Sequence, residues 1–481
     1  MRRLKNPSLI FVAFILTVGT PAARGQSDGE RLEKLERAVE LLQRRNAELE
    51  QEVRSLKRPG PPAPKSEAVA TAAAPERKSD GKTVVEKTTT KEEKKAPVFA
   101  VAAASEFKLT LGGFVQAQFE AGDVLAFEGR FATGSGEIKD RFRLRRARIT
   151  LTGDYKEDFD FKVEGDFTQS DTTITVRDVA GRTLASNSTR TSFGATDLFA
   201  NWHTYPEFNI KVGQYKAPFG LEQLTSDTKL FTPERSLVTT ALTPERQIGI
   251  QFWGKPFTNL WPEQKELLTY YAGVFNGTGR NISVNDNNEF MYVARLEVMA
   301  MKTKLLNQDA TLKLGANGVS SRDETGTTVS SLVRVTSDGS LGNFNLPQPG
   351  TREGYGIDAA LHIGPFDLSA EYISERFSAR APGGAAPLFA PFRADGYYVQ
   401  GAYYVIPKRL QLVTKWESFD PDQVFEDDIH SITAGVNYYL KGDDIKLLAN
   451  YIHTWSDFRE SRGTLGQDEF DEVIVRLQVM F

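Results

Sequence analysis

Few side chains in this chain are placed to make or break bonds. The 481 residues contain no Cys, which excludes disulfides and thiolate catalysis. The four histidines, His203, His362, His430 and His453, are scattered without metal-ligand spacing. An acidic run, Asp420, Asp422, Glu426, Asp427 and Asp428, lacks the glycine and the ligand spacing of a calcium loop. There is no phosphate-cradling Gly-Lys-Ser/Thr loop, HExxH motif or GxSxG motif. No enzyme activity, cofactor or metal is therefore expected. What remains is charge: Arg and Lys in segments where every second residue is apolar, as in FRLRRARITLTG at 142–153. Such residues suit contact with ions and polar solutes along a wet surface.

The elements that carry these charges read as β-strands. The last nine residues have a period of two, with Val473, Val475, Leu477, Val479 and Phe481 making one apolar face and Arg476 and Gln478 between them making the other largely wet. Ending on a bare Phe resembles the terminal signal that bacterial outer-membrane barrels present to their assembly machinery. From Glu106 onward, sixteen alternating segments follow, near 107–119, 140–154, 159–169, 194–203, 208–215, 246–254, 266–275, 290–301, 309–320, 353–364, 366–376, 395–405, 410–420, 428–440, 444–455 and 469–481. Short connections (Lys156-Glu157-Asp158, Pro365, Pro407-Lys408, Gly442-Asp443) alternate with long ones, as tight periplasmic turns and long outer loops do in an up-and-down barrel. Aromatic doublets Tyr397-Tyr398, Tyr403-Tyr404 and Tyr438-Tyr439, with Trp202, Trp253 and Trp455, sit near segment ends as an interfacial girdle requires. The expected fold is an all-β, 16-stranded antiparallel transmembrane β-barrel over 106–481, preceded by a short α-helical coiled coil and a disordered linker.

Residues 1–25 read as a secretory signal peptide: Arg2, Arg3 and Lys5, an apolar run from Leu9 to Val18, and Ala23-Arg24-Gly25 at the cleavage point. Residues 26–57 read as a periplasmic coiled coil. Leu32, Leu35, Val39, Leu42, Asn46, Leu49, Val53 and Leu56 are spaced 3, 4, 3, 4, with Arg31/Glu36, Arg45/Glu50 and Glu52/Lys57 as complementary flanking pairs. Val at a, Leu at d and one Asn lean towards a dimer. Residues 58–105, rich in Pro, Ala and Lys, read as a disordered tether.

One outer connection stands apart. Residues 216–245 are long, yet carry Phe219, Leu221, Leu224, Leu230, Phe231, Leu237, Val238 and Leu242. A loop with that much apolar surface folds onto something, and the barrel interior is the available place. Since a sixteen-strand barrel leaves an aqueous channel, this third loop is what narrows it.

The runs FRLRRARITLTG (142–153), KVGQYKAPFGLE (211–222), PERQIGIQFWG (244–254), YAGVFNG (271–277) and HSITAGVNYYL (430–440) occur in an order that resembles the phosphate-selective porin O and P family, over about 106–481. The resemblance implies an outer-membrane, usually trimeric porin, whose basic constriction passes phosphate-like anions through charge-assisted hydrogen bonds. It places Arg145, Arg146, Arg148, Lys211, Lys216, Arg235, Arg246 and Arg295 as pore-lining candidates. If Ile149 and Leu151 face lipid, Arg146 and Arg148 face inward. The apolar parity switches after Phe142 and Leu144, hinting at a bulge and leaving the side of Arg145 open. Arg235 and Arg246 each follow a Glu, so pairing that only pins the loop competes with ion contact. Lys162, Lys313, Lys415 and Arg476 share the inward parity.

The overall charge points the other way. Residues 106–481 hold 39 Lys and Arg against 49 Asp and Glu, a net charge near -10 that draws cations. An anion channel on such a body needs its positive charge concentrated at one place. The alternatives are a general or weakly cation-selective porin, and a structural tether that reaches peptidoglycan through residues 26–105. No nucleic-acid partner is expected.

Overall fold

The computed structural model describes residues 107–122, 140–156, 158–168, 193–324, 346–380, 386–423, 428–457 and 469–481, and the backbone of 102–103, 170–177, 183–191, 328–335 and 341–345. The expected signal peptide (1–25), coiled coil (26–57) and all of the linker (58–105) except Ala102–Ala103 lie outside the described residues.

Alternation in the sequence becomes strands in the fold. The main sheet includes a two-residue stub, Ala102–Ala103, which pairs with Phe107 and Lys108. Its other strands are β1 (Phe107–Gly122), β2 (Arg141–Tyr155), β3 (Phe159–Asp166), β4 (Gly194–Tyr205), β5 (Phe208–Lys216), β6 (Arg246–Gly254), β7 (Leu268–Phe275) and β8 (Met291–Leu305). They continue as β9 (Gln308–Asp323), β10 (Gly350–Ile363), β11 (Phe366–Ala379), β12 (Phe392–Ile406), β13 (Leu410–Asp420), β14 (Ile429–Lys441), β15 (Ile445–Ser456) and β16 (Glu469–Met480). Each expected segment corresponds to one of these sixteen strands, in order. Every neighbour pair is antiparallel, and β16 pairs back onto β1 with Val479 opposite Val115 and Val475 opposite Phe119. The barrel is closed. Two hairpins, Ser170–Arg177 with Thr183–Thr191 and Thr328–Val335 with Leu341–Asn345, stand outside the main sheet.

The wall is inverted relative to a water-soluble protein. On β14, Ser431, Thr433 and Asn437 face inward and are at most 1% exposed, while Ile432, Val436 and Tyr438 face outward at about 41%. An exterior of Leu, Val, Ile and Tyr over a polar interior fits lipid outside and water inside. The aromatic doublets split across the wall: Tyr397, Tyr403 and Tyr438 are exposed outward, whereas Tyr398 and Tyr439 are buried inside. Trp253 belongs to the lumen, since its indole N–H donates to the inward Asn201 at 2.9 Å. Period two forces this split, because adjacent residues cannot share a face.

Tight turns gather at one end. Leu306 and Asn307, which join β8 to β9, both have positive φ (51° and 61°), and Gly442 between β14 and β15 has φ 52°. These left-handed conformations match the twist of hairpin strands. The opposite, long-loop end carries the third long connection, 217–245, which turns inward as its composition requires. It forms two short helices, α1 (Leu221–Leu224) and α2 (Leu237–Leu242). The Ser236 side chain caps α2 by accepting from the Thr239 N–H. Phe219, Val238 and Leu242 are fully buried against the inward-facing Ile373, Phe377, Phe419 and Ile429. Each such side chain contributes about 1.5–3 kcal/mol, so this loop is part of the core.

The chain end seals the seam. The Phe481 N–H donates to the Gly113 carbonyl and the Gly113 N–H to the Phe481 carbonyl, both at 3.0 Å. A Cβ on Gly113 would stand 2.8 Å from the Phe481 ring and 2.3 Å from the Arg148 carbonyl oxygen. Gly113→Val is expected to destabilise the barrel by about 1–3 kcal/mol through overpacking. Urea unfolding of the detergent-solubilised barrel, followed by its heat-modifiable migration, checks this; an unchanged midpoint refutes it.

Candidate functional site: a basic cavity beside loop three

A cavity of about 1150 Å³ opens beside the inward loop. Nine basic side chains among the described residues border it: Arg141, Arg143, Arg145, Arg146, Arg148, Lys216, Arg235, Arg246 and Arg280. Among the described residues four acids do so: Asp166, Asp227, Glu234 and Glu245. The positive charge that the barrel lacks as a whole is therefore gathered here.

A bulge makes this density attainable. In the β1–β2 pair Gln116 lies opposite Arg146, and the next residue, Ala117, lies opposite Leu144, so Arg145 is the extra residue. Before the bulge Phe142 and Leu144 point to lipid, 86% and 58% exposed; after it Ile149 does, at 45%. Arg143 and Arg145 on one side of the bulge, and Arg146 and Arg148 on the other, consequently all face inward. A regular strand would send half of them into hydrocarbon. The parity switch in the sequence marked this bulge, and Arg141 and Arg143 lie in the same period-two row as Arg145, although they were not among the candidates. Arg280 left no such signal.

Asp227 of loop three is the hub. Its carboxylate accepts from Arg148 Nη1 and from Arg235 Nη1, both at 2.6 Å, and lies 3.6 Å from Arg146 Nη2. Its backbone carbonyl accepts from Gln116 Nε2 at 3.0 Å. Arg148 also reaches Asp166 at 2.9 Å, and Arg146 donates to Gln116 Oε1 at 2.9 Å. Glu234 is the second anchor: Arg145 approaches it in a fork at 2.9 and 3.0 Å, and Arg476 donates to it from β16. Farther round the wall the Glu371 carboxylate accepts the N–H groups of Leu221 (2.8 Å) and Glu222 (3.1 Å), and Glu417 accepts that of Leu237 (2.8 Å). Arg352 Nη2 and Asn437 Nδ2 donate to the Leu242 and Phe231 carbonyls at 2.9 and 2.8 Å. The loop is held at its polar backbone as well as by its apolar face.

Six of the eight expected residues border the cavity, and they differ in what else they do. Lys216 Nζ donates to the carbonyls of Gln223 (2.7 Å) and Thr225 (3.0 Å), and Arg235 to those of Glu222 and Thr225, so both fasten the loop. Arg246 pairs with Asp197 at 2.7 Å rather than with the preceding Glu245, and Arg235 pairs with Asp227 rather than Glu234. Arg145 keeps 31% of its side chain exposed, against 6% for Arg146 and 7% for Arg148. Lys211 and Arg295 lie apart from the cavity. The Lys211 ammonium sits 4.2 Å from the Phe199 ring centre and 5.2 Å from that of Tyr215, a cation–π contact. Arg295 is fully buried in the wall, clamped by Asp358 at 2.6 and 3.0 Å and by Glu297 at 3.0 Å.

Burial alone would raise the Asp227 carboxyl, but the charges of Arg146, Arg235, Lys216 and Arg148 override it and hold it well below the usual carboxylate range. Arg145, Arg476 and Arg146 do the same for Glu234 against the same burial.

A closed barrel with an apolar exterior, a polar interior and a long loop folded inside defines an outer-membrane porin. The chain belongs to the phosphate-selective porin O and P family, whose model matches residues 120–481. It is 23% identical over 435 residues to Porin O of Pseudomonas aeruginosa, spanning 78% of this chain and 89% of that protein. Among solved structures it is similar to an anion-selective porin from Comamonas acidovorans (12% identity, TM-score 0.49) and to OmpT of Vibrio cholerae (12%, 0.48). Each match covers 78% of this chain and 100% of the other.

Two outcomes follow from the anchors. Asp227→Asn leaves three guanidiniums around a neutral amide, and breaking a buried ion network from one side costs about 3–5 kcal/mol. Limited trypsinolysis of the folded barrel is then expected to cut at Lys229 or Arg235, where the wild type resists; equal resistance refutes the anchor role. Because both carboxyls are depressed in the fold, their stabilisation is complete above the ordinary carboxylate range and is lost only as pH falls through the lowered values. Open-channel current noise is thus expected to stay flat from neutral pH down to about pH 4 and to rise only below it.

Proposed function

We propose that this porin is a passive channel for small anions, phosphate and related oxyanions among them. In this reading loop 216–245 narrows the lumen to a constriction, and the basic side chains beside it line the path. The observation that carries the reading is the nine bases against four acids around one cavity of a barrel whose net charge is near -10. Long-range charge repels anions weakly through salt, whereas guanidinium groups inside a narrow, partly desolvated cavity act at close range. Arg145, the most accessible of the four arginines at the bulge, contacts the ion, while Lys216 and Arg235 set the width by holding the loop. No covalent step and no energy source are involved.

The ion pairing of Arg146, Arg148 and Arg235 with Asp227, which offsets part of their charge, favours a second reading, a general porin of weak selectivity. The zero-current potential in a planar bilayer under a KCl gradient, repeated with phosphate, decides between them. An anion-selective potential with phosphate blocking the chloride current supports the first; a cation-selective or null potential overturns it. Arg145→Gln is expected to weaken the phosphate block about tenfold, the scale of one hydrogen bond between charged groups.

A homotrimer, with residues 26–57 as a periplasmic coiled coil near the cell wall, belongs to the same proposal. The heptad spacing supports the coil, and the resemblance described above supports the trimer. Cross-linked oligomers unchanged on removal of residues 26–105 would take the clamping role from the coil. Co-sedimentation with peptidoglycan that survives the same removal would take away its wall contact.

A further inference from the structure

Of the nine basic side chains around the cavity, eight already hold a hydrogen-bond or ion-pair partner. Arg280 has neither among the described residues, and it is exposed to the cavity. It lies in the connection between β7 and β8, at the long-loop end.

The fold works to put it there. Gly277 (φ 85°), Gly279 (φ 97°) and Asn281 (φ 63°) all take the left-handed conformation, so three of five consecutive residues coil the chain back over the cavity. Two wall glutamines then hold the residues on either side of Arg280. Gln247 Oε1 accepts the Gly279 N–H at 2.9 Å. Gln214 Oε1 accepts the Asn281 N–H at 2.6 Å, and Gln214 Nε2 donates to Asn281 Oδ1 at 3.1 Å. Both glutamines are almost fully buried, at 4% and 2% exposed. The backbone is fixed on both sides, and the guanidinium is the charged group of the turn left uncommitted among the described residues.

A guanidinium offers five N–H donors and no acceptor. At Arg145, Arg148 or Arg246 an anion competes with a carboxylate already in the fork. At Arg280 it displaces only water. We propose that Arg280 is the capture residue of the channel: it takes an oxyanion from the outer solution at the mouth of the basic cavity, and Gln214 and Gln247 are positioning residues that present it. This rests on the anion-channel reading above.

The test is single-channel conductance of wild type, R280Q, R280K and Q247M in about 10 mM and about 1 M KCl, where the screening length falls from about 30 Å to about 3 Å. Heat-modifiable migration confirms that each variant is folded. Capture limits current when ions are scarce, so R280Q is expected to lose about threefold or more at low salt, and a much smaller factor at high salt, as a screened charge does. R280K is expected to keep the low-salt chloride current but to bind phosphate more weakly, because an ammonium lacks the planar fork. Q247M is expected to reproduce the R280Q loss and to add nothing in the R280Q background. An anion-selective wild type whose low-salt to high-salt ratio is unchanged in R280Q overturns the assignment to Arg280 alone. Equal losses at both salt concentrations, or additive losses with Q247M, assign a purely structural role and also overturn it. A wild type that is not anion-selective overturns the channel reading, and the capture role falls with it.

Discussion

A sheet in hydrocarbon has no tolerable edge. Each unpaired N–H or C=O in lipid costs several kcal/mol, and closure of β16 onto β1 removes that cost along the whole seam. The other features follow from this. Closure with sixteen strands encloses a lumen too wide for side chains to fill. Alternation then puts polar groups into that lumen and apolar ones into lipid. The lumen needs a separate element to narrow it, and among the described residues the larger buried apolar cluster is the patch at the long-loop end that receives loop three. Gly113 and Phe481 show how closely the seam is made, with the last ring lying where a side chain would otherwise stand.

Loop three is held by two kinds of force with different consequences. Burial of Phe219, Val238 and Leu242 is non-directional and fixes the loop inside. The carboxylates of Asp227 and Glu234 fix its orientation, because Asp227 joins Arg148 of the wall to Arg235 of the loop and Glu234 receives Arg145 in a fork together with Arg476. The same ion pairs divide the arginines by availability. Arg148 is consumed by Asp166 and Asp227, Arg235 by the loop, and Arg295 by Asp358 on another part of the wall. Arg145 and Arg280 keep exposed surface in the cavity. A count of bases is therefore a poor measure of the field an ion meets, and the distribution of carboxylates decides it.

The contrast between global and local charge is the clearest electrostatic feature. A net charge near -10 on 106–481 is spread over a large surface, where salt screens it beyond about 8–10 Å. The cavity excess is confined to a volume of about 1150 Å³, where charges act at shorter range than the screening length. The sign of charge at the cavity and that of the whole are set by different residues, so neither predicts the other.

How much was legible in the sequence varied with the range of the interaction. Period-two alternation is local, and it sufficed for sixteen strands, their order, the short and long connections and the inward parity of Arg146 and Arg148. The bulge at Arg145 was visible because Phe142 and Leu144 lie on the opposite parity from Ile149 and Leu151. The apolar character of 216–245 was enough to send that loop inward. Periodicity could not tell which carboxylate meets which base. Asp227 is 79 residues from Arg148, and Glu234 is 242 residues from Arg476; barrel closure and the path of the loop bring them together. The adjacent Glu residues looked like partners of Arg235 and Arg246 in the sequence, yet the real partners are Asp227 and Asp197. Arg280 was invisible for the same reason, since its place depends on glutamines from β5 and β6 that grip a turn after β7. The sequence by itself determined the barrel and the sign of each face, because backbone alternation converts directly into inside and outside. Only the tertiary structure decided which charges remain open to a solute, because that depends on the three-dimensional meeting of groups far apart in the chain.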